Sequence, residues 1–238
     1  MDWDQYDTVL FDLDGVLTPT AEVHMRAWQQ LFSGYLAERG SAEGYSEQDY
    51  FDFIDGKPRY DGVRSFLASR DIVLPEGEVD DDPDAETVCG LGNRKNAVFN
   101  RVLSTEGVRA YPGSVVLLDF LERAGKQVAV VSSSKNAPAV LDAAGLRSRF
   151  DVIVDGAVAH DLGLPGKPAP DTFVHAAEQL ATPVERTVVF EDALSGVAAG
   201  HEGGFGLVVG VDRGVGSDRL RAAGADVVVS DLAELVTR

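Results

Sequence analysis

The sequence predicts an α/β fold: an open, parallel, Rossmann-like sheet with a small helical domain inserted after its first strand. Three observations lead there. Short β-branched runs recur along the chain, each followed by a helical stretch. The runs hold four to six apolar residues without polar alternation, as in strands covered on both faces. One segment of about 90 residues contains no such run and is dominated by helical periodicity.

In chain order, the first run is TVLFD (Thr8–Asp12). The inserted segment follows, with helical patterns in EVHMRAWQQLFSGYLAER, GVRSFLASR and NRKNAVFNRVLSTEG. Its acidic stretch EGEVDDDPDAE (Glu76–Glu86) reads as a solvated loop, because its like charges oppose a packed helix. The chain is expected to cross into this insert near Pro19 and to return near VRAYPG (Val108–Gly113). This predicts a core of residues 1–19 and 109–238 and a helical cap of residues 20–108, set over the sheet's edge. The remaining runs are QVAVVSSS (Gln127–Ser134), FDVIVDG (Phe150–Gly156), RTVVFED (Arg186–Asp192), FGLVVGV (Phe205–Val211) and ADVVVSD (Ala225–Asp231). Between them lie amphipathic segments such as GSVVLLDFLERAG and APAVLDAAGL, each ending near a glycine, a common helix stop. Strand–helix alternation of this kind implies right-handed crossovers.

Composition narrows the function. The chain has 238 residues, 45% of them hydrophobic, enough to bury a sizeable core. Its net charge of −18 repels nucleic acid and anionic membranes, so neither is an expected partner. Any phosphate site must therefore be locally positive. The single cysteine, Cys89, excludes an intrachain disulfide and fits a reducing compartment. The N-terminus MDWDQYD is acidic where a signal peptide would be basic, and no apolar run approaches the ~18 residues of a membrane span. A cytoplasmic protein, most simply a monomer, is expected.

In open α/β sheets, ligands bind outside the carboxyl ends of the strands. The first strand ends at Asp12, with Asp14 two residues on and Gly15 permitting a turn. The second ends in Ser132, Ser133, Ser134, Lys135 and Asn136. After the third comes GLPGKPAPD, where Pro168 pushes Lys167 toward an extended conformation. The fourth ends in Glu191 and Asp192. Four clustered carboxylates would take up protons unless a cation joined them. Oxygen-only ligation suits a hard ion, and Mg2+ is usual where a phosphate also binds. Hydroxyls entering a helix N-terminus, with a lysine, supply anion donors. Together these describe a phosphoryl-transfer site. GxSxG does not occur, so an aspartate is the candidate nucleophile. Asp12, on the strand end, takes that role, and Asp14, on the turn, that of general acid/base.

FDLDGVL, SSSKN, GKPAPD and FEDALSGV, in this order and over nearly the whole chain, resemble the haloacid dehalogenase superfamily of phosphotransferases. The resemblance implies Asp12 as nucleophile, Asp14 as acid/base and Ser132, with Ser133 beside it, as phosphate binder. It also implies Lys167 as the motif lysine, and metal ligation by Asp12, Glu191, Asp192 and the backbone carbonyl of Asp14. TAEVHMRAW, DGKPRYDG, RKN and SSSKN are further similar to the β-phosphoglucomutase group. That similarity implies substrate contacts at Thr20, His24, Trp28, Gly56, Lys57, Arg59, Lys95, Ser134, Lys135 and Asn136, with Arg59 on a distal phosphate and Thr20 at the hinge. For Trp28 a place in the cap core competes. Pro19, Ala193 in place of a frequent serine, and HDLGLPG before Lys167 depart from the group's pattern. The expected ligand is a small sugar phosphate, with Mg2+ as cofactor. The expected reaction is a phosphomutase's conversion of β-glucose 1-phosphate to glucose 6-phosphate, and the alternative is a phosphatase on the same scaffold. A non-catalytic sugar-phosphate binder is a third reading that the intact aspartate, lysine and carboxylate set disfavours.

Overall fold

The computed structural model describes residues 1–41 and 43–236. Its centre is a six-stranded, all-parallel sheet of order β3-β2-β1-β4-β5-β6. The strands are β1 (Thr8–Phe11), β2 (Gln127–Val131), β3 (Val152–Val154), β4 (Thr187–Glu191), β5 (Leu207–Val211) and β6 (Val227–Val229). Every residue of β1 and β4 is buried, which is why their apolar runs show no alternation. The edge strands β3 and β6 are shorter and less covered. Phe11 stacks on Phe190 at 5.1 Å between β1 and β4, filling the layer beneath the strand ends.

The helices are α1 (Thr20–Glu38), α2 (Glu47–Asp49), α3 (Arg59–Ala68), α4 (Val88–Glu106), α5 (Pro112–Arg123), α6 (Ala137–Ala143), α7 (Gly156–Leu162), α8 (Asp171–Gln179), α9 (Leu194–Glu202) and α10 (Ser217–Ala222). A π-helical stretch, Tyr50–Ile54, continues α2. The chain forms two compact units, one of Met1–Thr20 with Val108–Arg238, the other of Ala21–Gly107. The second is helical, with its own core around Phe32, Phe66, Tyr35 and Leu91, in which Phe32 and Phe66 stack at 3.9 Å. Glu76–Glu86 contains no helix, as expected from its charge. It is nonetheless tethered, since Asn93 Nδ2 donates to the carbonyls of Val79 and Asp81. Among the described residues, no helix is long and apolar enough to cross a membrane.

One reading needs correction. The second run was expected to stay extended to Ser134, but β2 ends at Val131. Ser132 Oγ accepts from the Ser134 N–H, and Ser134 Oγ from the Asn136 N–H, so side-chain turns replace the ladder. Of HDLGLPG (His160–Gly166), the stretch that departs from the group's pattern, His160–Leu162 belong to α7 and only the rest is loop. Asp155 caps that helix by accepting from the N–H groups of Ala157 and Val158, and Gly163 ends it in the left-handed conformation.

Candidate active site

The strand register assembles the site. Strand order reverses between β1 and β4, which is the point where open α/β sheets place ligands. Phe11 pairs with Val130 on one side and Phe190 on the other. The next residue on each strand is Asp12, Val131 and Glu191, so these three stand level at the sheet's carboxyl edge. The Asp12 N–H donates to the Phe190 carbonyl at 2.9 Å, holding the aspartate in line with the strand.

Lys167 ties the three together. Its ammonium donates to Asp12 Oδ1 at 2.6 Å, to Glu191 Oε1 at 2.5 Å and to the Val131 carbonyl at 3.1 Å. It lies 4.8 Å from the centre of the Phe173 ring, which α8 buries beneath it. Burial opposes the charge on Lys167, but Asp12 and Glu191 outweigh it, and its ammonium is held well above the ordinary lysine range. Asp12 is pushed the other way. Burial raises its carboxyl well above 3.8, Lys167 draws it down, and Glu191 and Asp14 raise it again.

Asp12, Glu191 and Asp192 offer ligand oxygens that all lie within 4.8 Å of one another. The three carboxylates are buried beside a single lysine. A divalent cation fits that excess of negative charge, and the all-oxygen donor set suits a hard ion. Within the set, Glu191 is already engaged on both oxygens, since Oε2 accepts from the Ala193 N–H at 2.9 Å. The Asp14 carboxylate is not in the group, and Thr20 Oγ1 donates to its Oδ1.

That contact gives Thr20 its place beside Asp14. Its residue has no exposed surface, and its hydroxyl lies between Asp14 and, at 2.8 Å, Thr18 Oγ1. It holds the Asp14 side chain. Ser132 is buried and turned by the Ser134 amide, while Ser133, Lys135 and Asn136 continue along the same loop. Gly156 lets that loop sit against α7, because a Cβ there would press on the Ser133 carbonyl.

Two glycines in the motifs carry more than sequence reasoning assigned them. Gly15 sits at φ +88°, and a Cβ on it would overlap the Asp192 carboxylate. A Cβ on Gly196 would overlap Glu191 Oε1 and Cδ. A glycine has no side chain to read, so only the close approach reveals such a position. Gly196→Ala should cost about 1–3 kcal/mol despite alanine's better helix propensity, because Glu191 has nowhere to retreat. Thermal melts would show the loss, and kcat should fall with it as Lys167 loses one of its partners.

The helical unit holds the other expected residues. Lys57 Nζ donates to Ser65 Oγ at 2.7 Å, and Arg59 Nη1 to Asn93 Oδ1 at 3.4 Å. Both cations are pushed below their ordinary pKa values, chiefly by burial. Gly56 adopts φ +71° in the turn that precedes them. Lys95, buried in α4, meets His24 Nδ1 at 2.5 Å and lies 5.0 Å from the Trp28 ring centre. Trp28 itself is 4% exposed, stacked on Phe32 at 5.4 Å in the core of the unit. The structure places Trp28 in the core of the unit, the place that competes with a substrate contact. Helical spacing is the same for both roles.

A sequence profile described as haloacid dehalogenase-like hydrolase matches residues 6–204. The chain belongs to this family. Within it, the chain groups with the β-phosphoglucomutases. It is 49% identical over 236 residues to a β-phosphoglucomutase of Mycobacterium bovis, covering 95% of this chain and 90% of that one. The crystal structure of CbbY from Rhodobacter sphaeroides in complex with xylulose-(1,5)bisphosphate superposes with a TM-score of 0.72 at 26% identity, covering 97% and 96% of the two chains. A β-phosphoglucomutase from Clostridium difficile shares the fold with a TM-score of 0.79 at 24% identity, covering 97% and 93%. This member of the haloacid dehalogenase-like family is thus an enzyme of the phosphomutase or phosphatase kind.

Proposed function

We propose that the enzyme transfers a phosphoryl group through an aspartyl phosphate on Asp12, as a Mg2+-dependent β-phosphoglucomutase. The carrying observation is Asp12 itself, level with Glu191 at the switch point, beside Asp192 and bound to Lys167. When bound by Asp12, Asp192, Glu191 and the Asp14 carbonyl, Mg2+ would neutralise charge on the transferring group. Lys167 holds the Asp12 carboxylate and adds a full positive charge beside the phosphorus. Ser132 and Ser133 position the phosphoryl oxygens. Asp14, oriented by Thr20, removes the proton from the attacking sugar hydroxyl and returns one to the leaving oxygen.

The substrate reading rests on two further supports. Lys57 and Arg59 donate to Ser65 and Asn93, and burial lowers the pKa of both, so a second phosphate beside them would favour their charged forms. The relative solved as CbbY holds a sugar bisphosphate, the class of molecule that a hexose phosphomutase passes through. His24, Lys95, Ser134, Lys135 and Asn136 complete the proposed sugar contacts, in a chain acting as a cytoplasmic monomer.

The test is a product assay with β-glucose 1-phosphate and a trace of glucose 1,6-bisphosphate. The expected outcome is glucose 6-phosphate without free phosphate. Steady release of inorganic phosphate would establish the phosphatase reading, which the hydrolase description of the matching family favours.

A further inference from the structure

Arg213 stands outside every motif used so far. It follows β5 and reaches back across the sheet edge to the loop after β1. Its Nε donates to the Gly15 carbonyl at 2.7 Å, and its Nη1 to the Ser230 carbonyl at 2.8 Å. Its guanidinium carbon lies 4.0 Å from the centre of the Tyr111 ring. Tyr111 is itself bound to the same loop, its N–H donating to the Leu17 carbonyl at 2.9 Å. Ser114 Oγ adds a third tie, to the Val16 carbonyl at 2.7 Å.

Gly15 is thereby held at both ends. Its N–H donates to the Thr18 carbonyl at 2.7 Å, and its carbonyl accepts from Arg213. Its Cα face lies flat against Asp192. The Gly15 carbonyl belongs to the Gly15–Val16 peptide, which Arg213 holds, and the Gly15 N–H to the Asp14–Gly15 peptide, which the Thr18 carbonyl holds, so the loop that follows Asp14 is fixed on both sides of Gly15. Arginine suits the position because one rigid fork reaches two carbonyls while its flat face packs on an aromatic ring.

We propose that Arg213 is a positioning residue: by holding the Gly15–Val16 peptide it fixes the loop after β1, so that Gly15 stays against Asp192 and Asp14 stays in register with Thr20, in the place where Asp12 and Asp192 would hold a cation. This deepens the reading of the site given above and rests on it. Lysine cannot replace Arg213, because one ammonium does not hold both carbonyls and stack on Tyr111. Removal of groups that orient a metal site commonly costs about 10–100-fold in metal affinity or activity.

The experiment compares wild type, Arg213→Met and Arg213→Lys as full-length chains. Mg2+ binding is measured calorimetrically in the absence of substrate, kcat and KM on the sugar phosphate, and Tm without metal. The expected result for both variants is Mg2+ affinity and kcat each about tenfold or more below wild type, with KM little changed. Arg213→Lys, which keeps the charge, should melt close to wild type and so remains informative if Arg213→Met folds poorly. Wild-type Mg2+ affinity and kcat in a folded Arg213→Lys overturn the proposal, as does a lowered Tm with both constants intact. Wild-type enzyme that neither binds Mg2+ nor turns over a sugar phosphate would instead overturn the functional reading on which the proposal stands.

Discussion

Asp12→Asn is expected to abolish phosphoryl transfer, lowering kcat/KM by at least about 10⁴-fold, while leaving the chain folded. The amide is not a nucleophile, so no covalent phosphoryl enzyme can form. The fold should survive because Lys167 keeps Glu191 at 2.5 Å as its partner. The substitution also removes a carboxylate whose burial is costly enough to push its pKa well above the ordinary value. Stability should therefore change by no more than about 1 kcal/mol. Acid-quench trapping of labelled phosphate on the protein, paired with urea denaturation, separates the two effects. Near-normal turnover in the folded variant would remove Asp12 from the mechanism.

Lys167→Met should do the reverse and damage fold and chemistry together. The side chain is 1% exposed, and its removal leaves Asp12 and Glu191 buried without their shared cation. Breaking such a buried pair costs about 3–5 kcal/mol. The loss should also depend on pH. Without the ammonium, burial and Glu191 leave the folded Asp12 pKa still further above its unfolded value, so the folded state binds the proton more tightly than the unfolded one. Stability is then greatest at acid pH and falls as pH rises through the folded pKa. The variant should resist urea better in mildly acidic than in neutral buffer, and adding Glu191→Gln should recover part of the loss at neutral pH. A Lys167→Met chain as stable as wild type at neutral pH would show that the lysine does not balance these carboxylates.

The sheet could be read from the sequence because a strand covered on both faces must be apolar throughout. Thr8–Phe11 and Thr187–Glu191 are such runs, and their terminal acids stand out against them. That Asp12, Val131 and Glu191 end level is a property of register between distant segments, and no local pattern encodes it. Ser132–Ser134 misled for a local reason: hydroxyl side chains offered the backbone turns that ended the strand early. Trp28 and Thr20 lie at helical spacings that serve core and site alike, so only packing assigns them. Gly196 matters for the side chain it lacks. Arg213 acts on a carbonyl 198 residues away, a distance over which sequence pattern carries nothing.

The central position of β1 has a consequence for how the protein is made. Thr8 pairs with Gln127 on one side and Thr187 on the other. A ribosome adding ~5–20 residues per second must expose the β1 segment for on the order of ten seconds or more before its second neighbour exists. The four buried residues of β1 that will form the middle of the sheet are meanwhile an open edge, whereas residues 21–107 can complete local helical contacts as they emerge. The nascent chain thus carries Asp12, the proposed nucleophile, beside an adhesive stretch whose second edge is covered only when β4 arrives.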